Sequence, residues 1–465
     1  MLTDDTRRRD FPSLEGRTYL NTAAEGVPPL AVGEALQQYF RDKQLGMDGR
    51  TPHAAQWEAV RVLTGELFGL SAAEVGVCSC SSEAYNLAAL ALRLRDGDEV
   101  VVNDLDFPAG ATPWLQPTCP ADVKVWQSRG GALRVEDLAP LLGPRTRLVT
   151  VSLVSFFNGF TLRLAEVVAA VRKHSPALLA VDVTQALGRI PLDLAGADLV
   201  VSSTHKWILA SHGGGLVGVP AARSADWTVP AGGWFHLDDA FGPKRFTKAV
   251  SKPGAASFMV GMPNYPAIYA IRAALDYIRG VGVEAIDRHA RPLVLACLDE
   301  LKKLPVELLT PTEPEHVAGI LAFRHPRAEE IHRHLHAQNI HVMSHAGRSP
   351  RPGQTHRPKP QVGIEDAQCV PCRHRGRVYL LPDFRELRGG VDMDILLLIL
   401  IVLLVLSLGG WGYGYYGRPA RVADADVVAA PAAGGISILG ILAVILVVAV
   451  VLMLITNWRP IGPVF

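Results

Sequence analysis

The chain has 465 residues, of which 49% are hydrophobic, with 46 Lys and Arg against 45 Asp and Glu. It is long enough to bury a large core and to hold more than one domain, and its balanced charge excludes the basic footprint of a nucleic-acid binder. Six cysteines (Cys78, Cys80, Cys119, Cys297, Cys369 and Cys372) are too few and too scattered for a disulfide scaffold, which fits a reducing compartment.

The opening MLTDDTRRRDFP lacks the apolar run of a cleaved secretory signal. Residues 11–40 predict a short strand, a turn with glycine and two prolines, and an amphipathic helix. WEAVRVLTGELF has apolar residues at helical spacing and predicts a core helix. EVGVCSCSSEAYNLAALAL predicts a strand that ends at Ser81-Ser82-Glu83 and turns into a helix. Hydroxyls and unpaired N–H groups at a helix start suit an anion, although Ser-Ser-Glu equally suits plain capping. GDEVVVNDLDFPAGATPW predicts a strand followed by a loop carrying Phe107, and RLVTVSLVSFFNGF opens a strand, loop, helix, strand series of βαβ type.

Three apolar runs then follow: ALLAVD, ADLVVSS and GLVGVP. Asp182 ends the first, and Lys206 lies just past the second. Both therefore fall at the carboxyl edge of an open α/β sheet, where ligands bind. From Trp234 to Leu304 the pattern is mostly helical and leads into a smaller domain. VAGILAFRHPRAEEIHRHLHAQNIHVMSHAGR predicts strand, helix, strand. Its His332, His334, His336, His341 and His345 invite a metal reading, and His332 and His336 share a helix face. No cysteine or carboxylate stands at ligand spacing, so a solvated face and no metal are expected.

The order D-x-x-Q-x-x-G (from Asp182), S-x-H-K-W (from Ser203) and a glycine-rich return, with R-x-Y-L-N-x-A from Arg17, resembles the class V aminotransferase family of pyridoxal-phosphate (PLP) enzymes. The branch is the one grouped with isopenicillin N epimerase and the cysteine desulfurases. The resemblance implies PLP fold-type I, an α/β architecture with a mostly parallel sheet in a large domain and a small α+β C-terminal domain. The expected organisation is an N-terminal arm (1–20), a large domain (21–262), a small domain (263–348), an irregular Pro/Arg-rich segment (349–392) and a membrane hairpin (393–465).

By the same resemblance Lys206 forms the Schiff base and moves the substrate's α-proton. Asp182 pairs with the pyridine nitrogen, Gln185 donates to the phenolic oxygen, and Phe107 lies flat on the ring. Ser81, Ser82, Ser203 and His205 hold the phosphate, while Gly213, Gly214 and Gly215 let the backbone pass close to it. Arg348, or else Arg351, takes the substrate carboxylate. Two positions depart from the family: Phe156 stands where desulfurases carry an Asn on the phenolic oxygen, and Met262 stands where relatives carry a Thr that reaches the neighbouring subunit's cofactor. The partners implied are a small amino-acid substrate and a second copy of the chain. The activity implied is an aminotransferase-like reaction of an amino acid. The alternatives are a cysteine desulfurase or related PLP lyase, and a degenerate, non-catalytic, membrane-associated fold.

Beyond residue 348 the resemblance fails. The segment that follows holds Cys369-x-x-Cys372 and His374, a weak zinc or redox signal. Residues 395–416 and 436–455 are each long and apolar enough to span a bilayer. Arginines before the first and Arg459 after the second place both ends in the cytoplasm. The expected location is membrane-associated with the catalytic domain in the cytoplasm, or simply cytoplasmic if the tail is not part of the physiological chain.

Overall fold

The computed structural model describes residues 3–345 and the backbone of 361–365. Seven strands form the main sheet: β1 (Val75–Cys78), β2 (Glu99–Asn103), β3 (Asp122–Trp126), β4 (Thr146–Ser152), β5 (Leu178–Asp182), β6 (Leu199–Ser203) and β7 (Gly215–Gly218). Their order is β1-β7-β6-β5-β4-β2-β3, with β7 antiparallel to both neighbours and every other pair parallel. Six strands therefore run the same way and deliver their carboxyl ends to one edge. The runs EVVVN, LVVSS and GLVG are buried at every position, as strands covered on both faces must be.

The helices around the sheet are α1 (Leu30–Gln44), α2 (Arg50–Phe68), α3 (Ser81–Leu92), α4 (Leu164–His174), α5 (Tyr265–Val281) and α6 (Val283–Leu301). Helix α4 connects β4 to β5 as the crossover of a βαβ unit. At the amino edge the buried carboxylates are saturated with partners. Glu99 meets Lys124 at 2.6 Å and Arg145 at 2.7 Å. Asp198 meets Arg172 at 2.5 Å and Arg223 at 2.7 Å, and accepts the Leu179 N–H at 2.7 Å. Such pairing is what permits a carboxylate to be buried there.

A second sheet contains β8 (Glu307–Leu308), β9 (Ile320–Arg324), β10 (Met343–His345) and β11 (Gln361–Glu365), in the order β8-β9-β11-β10 and wholly antiparallel. Helix α7 (Ala328–Ala337) lies between β9 and β10 in sequence. Strand β11 falls in the 349–392 segment expected to be irregular. Five residues, QVGIE, are too short for a periodic signal among flanking prolines and arginines, and pairing with β9 and β10 supplies their backbone partners. The N-terminal strand Thr18–Tyr19 pairs in parallel with Ile340–His341. Among the described residues no helix is long and apolar enough to cross a membrane. The stretches 395–416 and 436–455 lie outside them.

Arg189, in the turn after β5, is 2% exposed and joins the two sheets' surroundings. Its guanidinium contacts Asp287 of α6 at 3.1 Å and donates to the Ala318 carbonyl at 3.0 Å, beside the Trp207 ring. Arg189→Met leaves Asp287 and Ala318 without this donor. The expected loss is about 3 kcal/mol, the lower end for breaking a buried ion pair, read as a lower urea midpoint.

Candidate active site

A cavity of about 350 Å³ opens at the carboxyl edge of the main sheet. That is within the range of small-molecule sites. Its walls come from the ends of β1 (Cys80, Ser81, Ser82), β2 (Phe107), β4 (Ser152, Val154, Phe156), β5 (Asp182, Thr184, Gln185) and β6 (Ser203, His205, Lys206). Ala23 and Ala24 of the N-terminal loop and Met343 and His345 of β10 complete it.

Lys206 begins a tight turn in which its carbonyl accepts the Leu209 N–H at 2.9 Å. Leu209 is buried and left-handed, with φ of 64°, a conformation that costs a branched residue free energy and persists only where its surroundings impose it. Two contacts do so. The Gly26 N–H donates to the His205 carbonyl at 2.8 Å, and a Cβ on Gly26 would lie 2.1 Å from the Lys206 carbonyl oxygen, so only glycine allows this approach. Trp207 is buried and its Nε1 donates to Gln185 Oε1 at 2.7 Å, tying the lysine turn to the end of β5. The Lys206 Nζ lies 5.3 Å from the centre of the Phe107 ring.

Asp182 closes the floor. It is buried, and its Oδ1 accepts the Thr184 N–H at 2.8 Å. Desolvation pushes its carboxyl upward, opposed by the Thr184 bonds and by the nearby Lys206 charge. At the other end α3 points its amino terminus at the cavity. Cys80 caps it, with Sγ accepting the Glu83 N–H at 3.4 Å, and Glu83 in turn accepts both the N–H and the hydroxyl of Ser79 at 2.6 Å. The Ser203 hydroxyl donates to Ser81 Oγ at 2.9 Å, and the Ser203 N–H donates to Thr184 Oγ1 at 3.0 Å. Ser81, Ser82, Ser203 and His205 thus share one wall.

His205 is stacked on His212, ring centres 4.6 Å apart at 17°. Burial, with the Lys206 and His212 charges, pushes its imidazole down to about 4, so it is neutral at neutral pH. Glu25, His205 and His212 bring ligand atoms within 4.8 Å of one another. Parallel stacked rings direct their in-plane lone pairs into separate planes, so this group does not converge on one ion.

Gly213, Gly214 and Gly215 are tightly packed: a Cβ at Gly213 would strike Asn264, one at Gly214 would strike Ile271, and one at Gly215 would strike the backbone of Cys80 in the cavity wall. Two sequence expectations are refined. Gln185 is an anchor as well as a wall residue: its Nε2 donates to the Ala23 carbonyl at 2.9 Å, leaving the second amide proton for a ligand. His345, placed with the histidines of a solvated face, instead lines the cavity. Its ring stands edge-on to Phe156 at 6.5 Å, and burial and Lys206 push its imidazole down. The sequence signal for it was only its place at the end of a strand in the second domain. Phe156 itself packs edge-on against Phe107 at 5.0 Å and presents no hydrogen-bonding group. Met262 borders a separate cavity beside Cys78 and Asn264. Arg348, Arg351, Cys369, Cys372 and His374 lie outside the described residues.

The donor set fits a pyridoxal phosphate. A buried carboxylate calls for a protonated nitrogen, serine hydroxyls at a helix start suit a phosphate, and an aromatic face next to an amine suits a flat ring bonded to lysine.

The family model described as aminotransferase class V matches residues 18–356. A probable cysteine desulfurase of Methanothermobacter thermautotrophicus is 27% identical over 70% of this chain and 81% of its own length. An uncharacterized aminotransferase of Bacillus subtilis, YcbU, is 26% identical over 70% of this chain and 85% of its own. The apo structure of a cysteine desulfurase from Thermococcus onnurineus NA1 superposes with a TM-score of 0.69 over 80% of this chain and 95% of that one, at 20% identity. The main-sheet topology, the strand-edge cavity and the span of the family match lead to one conclusion: the chain belongs to the class V aminotransferase family.

Proposed function

We propose that the protein is a PLP-dependent enzyme acting on a small amino acid, with Lys206 as both the attachment point of the cofactor and the group that moves the α-proton. Pyridoxal 5'-phosphate is the cofactor. The observation that carries the reading is the Lys206 amine 5.3 Å over the Phe107 ring in one cavity that also holds Asp182 and the start of α3. When bound, pyridoxal phosphate supplies a ring that accepts the electrons of a bond broken at Cα.

The chain's own residues supply the rest. Asp182 holds a proton at the ring nitrogen, and its burial strengthens that interaction. Phe107 fixes the ring's tilt. Ser81, Ser82 and Ser203 take the phosphate, with neutral His205 as a hydrogen-bond partner. The second Nε2 proton of Gln185 is available to the phenolic oxygen. Lys206, held by its strained turn, exchanges a proton with Cα as general acid and base. Grouping these residues in one cavity weighs against the non-catalytic alternative.

The reaction subtype has two readings. Aminotransfer requires only the groups above. Desulfuration, as the name of the Methanothermobacter relative implies for that protein, requires in addition a thiol that attacks the substrate's sulfur and keeps it as a persulfide; a β-eliminating lyase would expel the sulfur without one. Cys80 is the cysteine that lines the cavity among the described residues. The proposal further includes a homodimer, supported by exposed Phe40, Met47, Phe241 and Phe246. It also includes attachment of a cytosolic catalytic part to the membrane through 395–416 and 436–455, supported by their sequence alone.

Lys206→Ala is expected to abolish the visible band that appears when pyridoxal phosphate is added. It is also expected to slow exchange of the α-hydrogen of amino acids in deuterated water by about a thousandfold, as followed by NMR. A parent protein that gains no band removes the assignment. Asp182→Asn retains the band but slows the same exchange about a hundredfold, the size of one lost electrostatic stabiliser. Sulfide release from cysteine in the presence of dithiothreitol as reductant, lost in Cys80→Ser or in a Cys369→Ser and Cys372→Ser double variant, selects the desulfurase reading, and sulfide release that survives both selects a β-eliminating lyase. Keto-acid formation without sulfide selects aminotransfer.

A further inference from the structure

Asp182 has a buried carboxyl neighbour. Asp106, in the turn after β2, directs Oδ1 to the Ser152 N–H at 2.7 Å, while its Oδ2 is buried without a hydrogen-bond partner among the described residues. Two more buried oxygens lie in this part of the core, Tyr85 Oη of α3 and Thr150 Oγ1 of β4, and the Tyr85 hydroxyl faces both Thr150 and Asp182. A Cβ on Gly110 would touch Thr150 Oγ1 at 3.6 Å and Tyr85 Oη at 3.7 Å, so both oxygens crowd one point. The Asn103 amide donates to the Thr150 carbonyl at 3.3 Å, which fixes the side of the cluster on β2.

The titratable groups that face this cluster are Asp106 from the β2 turn, Asp182 from β5 and Tyr85 from α3; Tyr85 feels the charge of both aspartates, and Asp106 feels that of Asp182. Lys206 acts on Asp182 from the cavity side. Two ionised carboxylates in one desolvated cluster repel each other, and desolvation of Asp106 outweighs the bonds it receives from Ser152 and Asn103. One proton retained on the carboxyl farther from the cavity removes both costs.

We propose that Asp106 is a positioning residue: a neutral carboxyl held behind Asp182 by the Ser152 N–H, whose strand position pairs with Asp182, so that Asp182 stays the anion that meets the cofactor's ring nitrogen. This rests on the assignment of Asp182 to that nitrogen. Desolvation, with the Asp182 charge adding to it, pushes the Asp106 carboxyl up to about 7. In the unfolded chain the same group titrates at about 3.9. Between those values the folded state binds the proton and the unfolded state does not. The stability it contributes is therefore complete below about pH 4 and lost as pH rises to about 7.

Asp106→Asn keeps the shape and the neutral charge but cannot titrate. Its thermal midpoint, measured without cofactor, is expected to gain on the parent's by about 4 °C between pH 5 and pH 8. Parallel curves would overturn the proposal. Infrared spectra of the parent containing isotope-labelled aspartate decide the point even if the variant does not fold. A protonated aspartate band lost between about pH 6 and pH 8.5 and retained in Asp182→Asn supports the neutral Asp106 carboxyl, and a band that is absent or vanishes in Asp182→Asn overturns it. With pyridoxal phosphate bound, the pH titration of the visible band is expected to carry an inflection near neutrality that Asp106→Asn lacks. Identical titrations would deny Asp106 its influence on the cofactor. A parent with no visible band removes the cofactor assignment, while the infrared result still reports the protonation of Asp106.

Discussion

The site depends on the hydrogen bond from Trp207 Nε1 to Gln185 Oε1. A lysine has four flexible methylenes, and an amine that must attach to a ring and then act on its substituent cannot be left to sample them all. This bond fastens the turn that carries Lys206 to the end of the neighbouring strand, so two strand ends move as one. The left-handed Leu209 and the Gly26 contact complete the hold. The strained backbone sits next to the reactive amine, where rigid placement has the most value.

Around that fixed point the electrostatics are polarised. The amino edge of the sheet buries Glu99 and Asp198 with their cations in place, and these serve the fold. The carboxyl edge buries Asp182 with backbone and hydroxyl neighbours and one nearby amine. An acid so placed is incomplete as a structural element and complete only with a cationic ligand group. The opposite wall offers neutral donors: hydroxyls, helix N–H groups and an imidazole held neutral by burial. Such a wall accepts a dianion without bringing a second fixed cation that would compete for Asp182.

Much of this was legible in the sequence, because strand ends are marked by composition. Asp182 and Lys206 each follow a Val-rich run, and runs that are buried on both faces read directly as parallel strands. Ser81 and Ser82 were legible because a helix start has local chemistry. What sequence could not give was contact across strands. Trp207 read only as a member of the S-x-H-K-W motif, and its bond to Gln185 is a tertiary fact. The three glycines read as room for a phosphate, and Gly215 does press on the Cys80 backbone, but the close approach of Gly26, 180 residues from the lysine in sequence, carried no signal. Asp106, beside Phe107, carried no signal in the sequence. Its burial depends on β4 and α3, which periodicity cannot place against it. His345 was obscured by five histidines in fourteen residues, although only a strand end carries it to the cavity.

The aromatic corner formed by Phe107 and Phe156 bears on which reaction the site favours. An asparagine at 156 would give the phenolic oxygen a firm donor. In the proposed site, a phenylalanine there leaves that oxygen to the remaining Gln185 proton and makes one flank of the cavity apolar. A weaker donor at that oxygen withdraws less density from the ring, which places more of the electron-accepting burden on the protonated ring nitrogen and hence on Asp182. The polarity of Asp182's surroundings then matters more here than in a site with both donors. A second, neutral carboxyl behind it is the arrangement that keeps Asp182 ionised in so dry a place.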